Sequence, residues 1–228
     1  MPERPHKALN TEDRRLLRQG AHAFGVELTE NQLSLFALFL QGLWSWGRRL
    51  NLTGLPAKRD IIIKLLLDPL VALPYLPSAG TVLDIGSGAG IPGLPFKIAR
   101  HAFEVHLLES RAKKVSFLKD MIRKLDLKGI EACQGRAEYR SDPATLFTVY
   151  DMVTARALAP LKKTIGLCLP FVKPEGLLIT FKGSRVNQEI EESGSTIEET
   201  GLNIKEMVPY ALPETTGGRH LVILQKKA

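Results

Sequence analysis

Most of the chemistry readable in this chain lies in one stretch, Val82-Leu83-Asp84-Ile85-Gly86-Ser87-Gly88-Ala89-Gly90-Ile91-Pro92-Gly93. Glycines placed where a strand ends and a helix begins let backbone approach a ligand closely. A dinucleotide fingerprint, GxGxxG, would need its third glycine at position 91, where isoleucine stands. Asp84, two residues before the first glycine, would repel a pyrophosphate. It favours a cationic ligand instead, such as the ammonium end of S-adenosylmethionine, and D-x-G-x-G-x-G is the adenosylmethionine form of this loop. Glu109 follows Leu107-Leu108, 23 residues beyond Gly86. An acid at that distance is placed to accept hydrogen bonds from both ribose hydroxyls, of NAD and adenosylmethionine alike.

Further polar groups follow later apolar runs. Gly135-Arg136-Ala137-Glu138 offers backbone N–H and an acidic side chain to an adenine edge. Arg156 and Lys182 each come directly after a β-type run, beside small residues, and are expected in the same crevice. Lys113, Lys114, Lys119, Arg123 and Lys124 crowd one helix, and several of them, with Arg111 and Arg219, are candidates for phosphate contacts. The five histidines have no ligand spacing and Cys133 and Cys168 stand singly, so no metal is expected. His106 reads as packed rather than catalytic. Trp44 reads as core, and Trp46 as packing between an N-terminal extension and the sheet.

These groups need strands and helices to position them. Residues 1–77 read as helices only, an extension packed on the core. Asn10 or Thr11 caps a helix running to about Phe24. Thr29 with Gln32 forms a capping box for a second helix, whose Leu33, Phe36, Ala37, Leu40, Leu43 and Trp44 share one face. A third covers Lys58–Leu76, with Pro69 kinking or splitting it. Residues 78–228 alternate β runs (Thr81–Ile85, Glu104–Leu108, Ile130–Cys133, Tyr150–Thr154, Gly176–Phe181) with helices (Pro92–Arg100, Ala112–Leu125, Leu158–Val172, Val186–Thr200). That grammar means an α/β, Rossmann-like, mostly parallel sheet with helices on both faces. Ile204–Tyr210 and Arg219–Gln225 have no helix between them, so they form an antiparallel edge hairpin, and Ala211–Gly218 reads as a mobile loop.

Composition excludes collagen, disordered and disulfide-scaffold classes: 44% of the 228 residues are hydrophobic and 24% charged. No apolar run reaches the roughly 18 residues of a membrane span. The N-terminus has no apolar segment of a secretory signal, and the unpaired cysteines fit a reducing cytoplasm. Net charge is +7, unevenly spread. Residues 97–140 hold eleven Lys/Arg against six Asp/Glu, whereas 186–204 hold five glutamates and no Lys/Arg. A basic face opposite an acidic patch suits oriented binding to a polyanion, although charge alone is also what a solvated surface looks like.

The combination Asn51-Leu52-Thr53, DIGSGAGIPG (84–93), LLESRAKKVSFL (107–118), GRAE (135–138), YDMVTARALAPL (150–161), FKG (181–183) and RHLVILQK (219–226) resembles the RsmG (GidB) family across nearly the whole chain. These are bacterial methyltransferases that modify a guanine N7 in 16S ribosomal RNA. The resemblance implies a class I S-adenosylmethionine-dependent methyltransferase fold. It also implies cofactor contacts at Gly86, Ile91, Ala137, Glu138 and Arg156, to which the residue reading adds Asp84, Gly88 and Glu109. Arg111, Lys113, Lys114, Lys182 and Arg219 are then the RNA candidates. The implied partner is 16S rRNA, within a small ribosomal subunit or an assembly intermediate, met by a cytoplasmic monomer. The family's H-x-x-D-S-L stretch reads Leu65-Leu66-Leu67-Asp68-Pro69-Leu70 here, with leucine for histidine and proline for serine.

Guanine N7 carries an in-plane lone pair and no proton, so an in-line displacement at the sulfonium methyl needs no general base. Alignment alone supplies roughly 7–11 kcal/mol in favourable cases. Positive charge moves onto the purine, so a cation aimed at N7 opposes the product. Arg156 and Lys182 are therefore candidates for orientation, with no essential catalytic residue expected. Two alternatives stay open: the same cofactor with another acceptor, and a non-catalytic adenosylmethionine-binding assembly factor. The absence of an Asn/Asp-Pro-Pro-Tyr/Phe tetrad at Thr154-Ala155-Arg156-Ala157 argues against exocyclic amino methylation.

Overall fold

A computed structural model describes residues 9–50, 52–138 and 149–228. Residues 1–8 and Asn51 of the Asn51-Leu52-Thr53 motif lie outside them. The seven strands are β1 (Gly80–Ile85), β2 (Phe103–Glu109), β3 (Ile130–Gln134), β4 (Tyr150–Arg156), β5 (Val172–Lys182), β6 (Leu202–Tyr210) and β7 (Arg219–Lys226). They form one sheet in the order β3-β2-β1-β4-β5-β7-β6. All pairings from β3 to β5 are parallel, and β7 is antiparallel to both β5 and β6. The hairpin sits at the edge as the missing helix predicts; its reversed strand, β7, lies inside, and β6 is the rim.

The chain leaves β1 toward β2 and β3, then returns to β4 on the other side of β1. This reversal is the switch point at which open α/β sheets form a crevice beyond the carboxyl ends of their strands. In register, Asp84 pairs with Leu107 on one side and Thr154 on the other. Ile85, Glu109, Arg156 and Lys182 close their strands, so all four emerge at the same edge.

The helices bury both faces. On one side lie α1 (Thr11–Ala23), α2 (Glu30–Leu50), α4 (Gly93–Ala99) and α5 (Ala112–Lys124); on the other lie α6 (Leu161–Cys168) and α7 (Val186–Glu199). Residues from the helical segment before the sheet share a hydrophobic cluster with the first face. Phe36, Phe39, Leu33 and Leu43 of α2 are fully buried there, each contributing about 1.5–3 kcal/mol. Asn10 caps α1 through the Asp13 N–H at 2.8 Å, and Gln32 donates its own N–H to the Thr29 hydroxyl at 3.2 Å, the expected box. Trp46 stacks edge-on against Phe117 of α5 and donates to Asp120 Oδ2 at 3.1 Å, tying α2 to the sheet layer. Trp44, read as core, is only half-buried.

The single helix expected over Lys58–Leu76 is three pieces: α3 (Lys58–Ile61), a π-helical turn Ile62–Leu67, and a 3-10 stretch Asp68–Tyr75. The proline breaks the hydrogen-bond ladder earlier than a simple kink at its own position would. The helix expected over Leu158–Val172 is likewise shorter, with α6 starting after Pro160 and giving way to a 3-10 turn, Leu169–Phe171, that contains Pro170. The loop Ala211–Gly218, expected to be mobile, is tethered: Leu212 is buried, and Glu214 accepts from Arg59 Nε at 2.6 Å.

Candidate functional site

The glycine turn hangs on the sheet edge. The N–H groups of Gly86 and Ser87 both donate to the Leu108 carbonyl, at 2.8 and 3.1 Å. Gly86 has φ +71°, and a side chain there would strike Leu158 Cδ1 at 2.8 Å. Any residue but glycine would thus be strained and would close the gap between loop and Leu158. Behind the turn, Gly93 opens α4 so close to the sheet that an added Cβ would lie 3.0 Å from Asp84 Oδ2.

Asp84 is fully buried, and its Oδ2 accepts from the Gly93 N–H at 3.1 Å. Oδ1 has no hydrogen-bond partner. Burial pushes its pKa up to about 7, against the pull of the Gly93 N–H and the charge of Arg156. The side chain braces the loop from behind and does not line the cleft.

In front of the turn is a cleft of about 430 Å³, within the size range of small-molecule sites. Gly86, Glu109, Ala137, Glu138 and Arg156 line it, as do Arg111 and Lys114 from the RNA candidates. Glu109 takes the Gly88 N–H on Oε2 at 3.0 Å and the Arg111 N–H on Oε1 at 2.8 Å. Oε1 also takes the Ser110 hydroxyl at 3.4 Å, so Oε2 is the oxygen that keeps a lone pair for a ligand hydroxyl. Gly88 and Ile91 do not line this cleft: Gly88 acts through Glu109, and Ile91 packs in the core. Lys114 lies over the turn, its Nζ 3.8 Å from where a Gly88 Cβ would be.

A second cleft, about 520 Å³, opens at the ends of β4, β5 and β7. Its lining includes Lys64, Leu65, Phe181, Lys182, Gly218 and Arg219. Arg156 and Ala157 line both clefts and form the wall between them. Ala157 has φ +53°, a left-handed backbone that a non-glycine residue adopts at a cost and that clusters at functional sites.

The cations of the second cleft are largely neutralised. Lys182 Nζ lies 2.8 Å from Glu189 Oε2 and donates to the Ala159 carbonyl at 3.3 Å, leaving its side chain 8% exposed. Burial raises the Glu189 pKa, but the Lys182 ammonium and the Leu161 N–H outweigh it and hold the carboxyl below its usual range. Lys182 therefore carries no unpaired charge toward a phosphate. Asp68, fully buried, receives Arg156 Nη2 at 2.8 Å, Arg219 Nη1 at 3.3 Å and the Tyr210 hydroxyl at 2.7 Å. Burial, then the charge of Asp68, pushes the Tyr210 hydroxyl far above its ordinary pKa, so it stays a donor.

On α5, Arg123 and Lys124 both pair with Asp120. Lys113 and Arg111 are exposed. His106 is buried and meets the Tyr150 hydroxyl at 2.6 Å, away from either cleft. Among the described residues no three His, Cys, Asp or Glu side chains are grouped to hold a metal ion. Residue reading missed Ala157 and Leu158 as walls, Arg136 as lining, and Tyr210 as a partner of Asp68. Only Arg136 carried a signal, its place inside the GRAE run.

The profile of the family described as "rRNA small subunit methyltransferase G" matches residues 32–222. The chain is 35% identical over 210 residues to the ribosomal RNA small subunit methyltransferase G of Lachnoclostridium phytofermentans, covering 91% of this chain and 87% of that one. It is 37% identical over 212 residues to the protein of that name from Desulforamulus reducens, covering 92% and 88%. Among solved structures, M. jannaschii TYW2 in complex with AdoMet has the same fold, with TM-score 0.51 at 16% identity over 65% of this chain and 68% of that one.

Proposed function

Because the chain belongs to the rRNA small subunit methyltransferase G family, we propose that it transfers a methyl group from S-adenosylmethionine to N7 of a guanine in 16S ribosomal RNA. The observation that carries this reading is the pair of clefts meeting at Arg156 and Ala157, one lined by Gly86, Glu109 and Glu138 and one by Leu65 and Phe181.

The residues of the first cleft fit the cofactor. Gly86 leaves the gap that a side chain would fill, and Glu109 Oε2 keeps a lone pair for a ribose hydroxyl. Ala137 and Glu138 line the same cleft and are the residues assigned to the adenine edge, and Lys114 stands over the glycine turn. When bound, the cofactor supplies an electrophilic sulfonium methyl. The second cleft gives a purine the apolar walls of Leu65 and Phe181. No side chain has to remove a proton, since N7 bears none. The protein's contribution is alignment across the Arg156–Ala157 wall. Pairing with Asp68 keeps the Arg156 charge from acting alone against a developing purinium.

Exposed Arg111 and Lys113 are cations open to RNA phosphates, whereas Arg219 at the second cleft is already engaged by Asp68. The reading includes no metal. It places a monomer on a small ribosomal subunit or its assembly intermediate in the bacterial cytoplasm. Among the described residues no helix is long and apolar enough to cross a membrane.

Radiolabelled methyl transfer to small ribosomal subunits tests it. Label is expected on one guanine, and is lost when that base is 7-deazaguanine, whose carbon at position 7 has no in-plane lone pair. Label on protein or on a metabolite, or cofactor binding without transfer, overturns the reading.

A further inference from the structure

Among the described residues Arg156 is the one cation that lines both clefts, and the way it is held is unusual. A guanidinium has five N–H donors. Nε donates to Asp68 Oδ2 at 3.1 Å. Nη2 meets the same oxygen at 2.8 Å and the Lys64 carbonyl at 2.7 Å. The two N–H groups of Nη1 are what remains for a ligand.

The Lys64 carbonyl is available for a reason written in the sequence. In an α-helix it would accept from the N–H of residue 68. Here the Asp68 N–H goes to the Ile63 carbonyl, five residues back. That π register assigns the Lys64 carbonyl to residue 69, which is Pro69 and has no N–H. Even a part-buried carbonyl left without a donor is costly, and the Arg156 guanidinium satisfies it. The same turn points the Asp68 carboxylate at Arg156, where Tyr210 and Arg219 hold it from the sheet side. Single π turns of this kind occur often at functional sites.

We propose that the Asp68 carboxylate and the orphaned Lys64 carbonyl form a seat that presets Arg156 for both ligands at once, making Asp68 a positioning residue of the transfer reaction. The proposal rests on the function given above. A preset side chain spares each ligand the cost of immobilising it. Without the seat, whichever ligand binds first orders Arg156, and the second binds without that cost. Loss of the seat therefore weakens each ligand alone and creates cooperativity between them. A general loss of stability does neither in that combination.

The test measures equilibrium binding of labelled S-adenosylhomocysteine, alone and with saturating undermethylated small ribosomal subunits. Asp68→Asn removes the charge of the seat. Pro69→Ala leaves every side chain of the network intact and returns a backbone N–H that competes for the Lys64 carbonyl, which keeps the test open if Asp68→Asn does not fold. Each variant is expected to bind S-adenosylhomocysteine about two- to tenfold more weakly than the wild type when alone. The deficit is expected to shrink toward the wild-type value once subunits are bound. Wild-type affinity in both variants, or a deficit equally large with and without subunits, overturns the seat while leaving the function standing. Wild-type protein that binds no S-adenosylhomocysteine overturns the function itself, and the seat with it.

Discussion

Replacing Asp84 by asparagine should make the protein more stable at neutral pH, by an amount that depends on pH in a defined way. Folded Asp84 is fully buried with one oxygen unpartnered, and its pKa stands at about 7 against 3.8 for the free group. Below about pH 4 the carboxyl is protonated folded and unfolded, and it costs the fold nothing. Between the two values the folded state holds a proton that the unfolded state has released. Stability then falls by about 1.4 kcal/mol for each pH unit. Above about pH 7 both states are ionised, and the deficit levels off at as much as about 4 kcal/mol. Asparagine keeps an oxygen for the Gly93 N–H and has no such proton to lose. Asp151, held down to about 2, and Glu189, also lowered, act in the opposite direction, losing stability as pH falls. They are common to both proteins and cancel in the difference. Urea unfolding followed by circular dichroism, at pH 5, 6, 7 and 8, checks it. The asparagine variant should gain on the wild type steadily from pH 5 to 7 and little beyond. A difference that stays constant across that range refutes an unionised Asp84 behind the glycine turn.

Three more outcomes are expected. Gly86→Ala places a methyl at φ +71° and against Leu158; it should cost about 1–2 kcal/mol of stability and at least about tenfold in S-adenosylhomocysteine affinity by calorimetry, since the group enters the cleft. Lys182→Met strips Glu189 and the Ala159 carbonyl of a donor; about 1–3 kcal/mol should be lost in thermal unfolding, and adding Glu189→Gln should recover part of it. In RNA binding titrated with salt, Arg111→Gln and Lys113→Gln should each lower the log–log slope by about 0.7–0.9, whereas Arg123→Gln, which shares Asp120 with Lys124, should lower it less.

The contrast between Arg111 and Lys182 shows what sequence can and cannot deliver here. Everything set by short-range pattern was readable. The alternation of β runs and amphipathic stretches gives the sheet, and Asn10, Thr29 and Gln32 announce two helix starts. Glycines followed at fixed distance by Glu109 place the first cleft, because both sit at the ends of adjacent parallel strands whose lengths the pattern fixes. A positive residue, by contrast, shows its charge in sequence but not its partner. Lys182 follows an apolar run just as a phosphate ligand would. Its neutraliser, Glu189, sits seven residues on, in the first turn of α7, where an acid also serves the helix start. Asp84 misleads in the other direction. Beside glycines it reads as an exposed anion, and only the closeness of α4 to the sheet, allowed by Gly93, buries it.

Asp68 is the limiting case. Its ligands come from positions 156, 210 and 219, separated from it by 88 to 151 residues, and no local pattern encodes pairings that the sheet order alone brings together. Yet half of the arrangement was visible as Pro69, read simply as a helix breaker. A proline inside a helix does two things: it bends the chain, and it leaves a carbonyl without a donor. Followed one step further, that second effect asks which group answers the carbonyl. Within a mostly buried and apolar segment, Ile61 to Leu73, a side-chain donor with hydrogens to spare answers it well. Arginine at a strand end is such a donor. The backbone accounting thus narrows the partner to a type even where the sequence gives no position, and the same carbonyl that marks the break in the helix holds the wall between the two clefts.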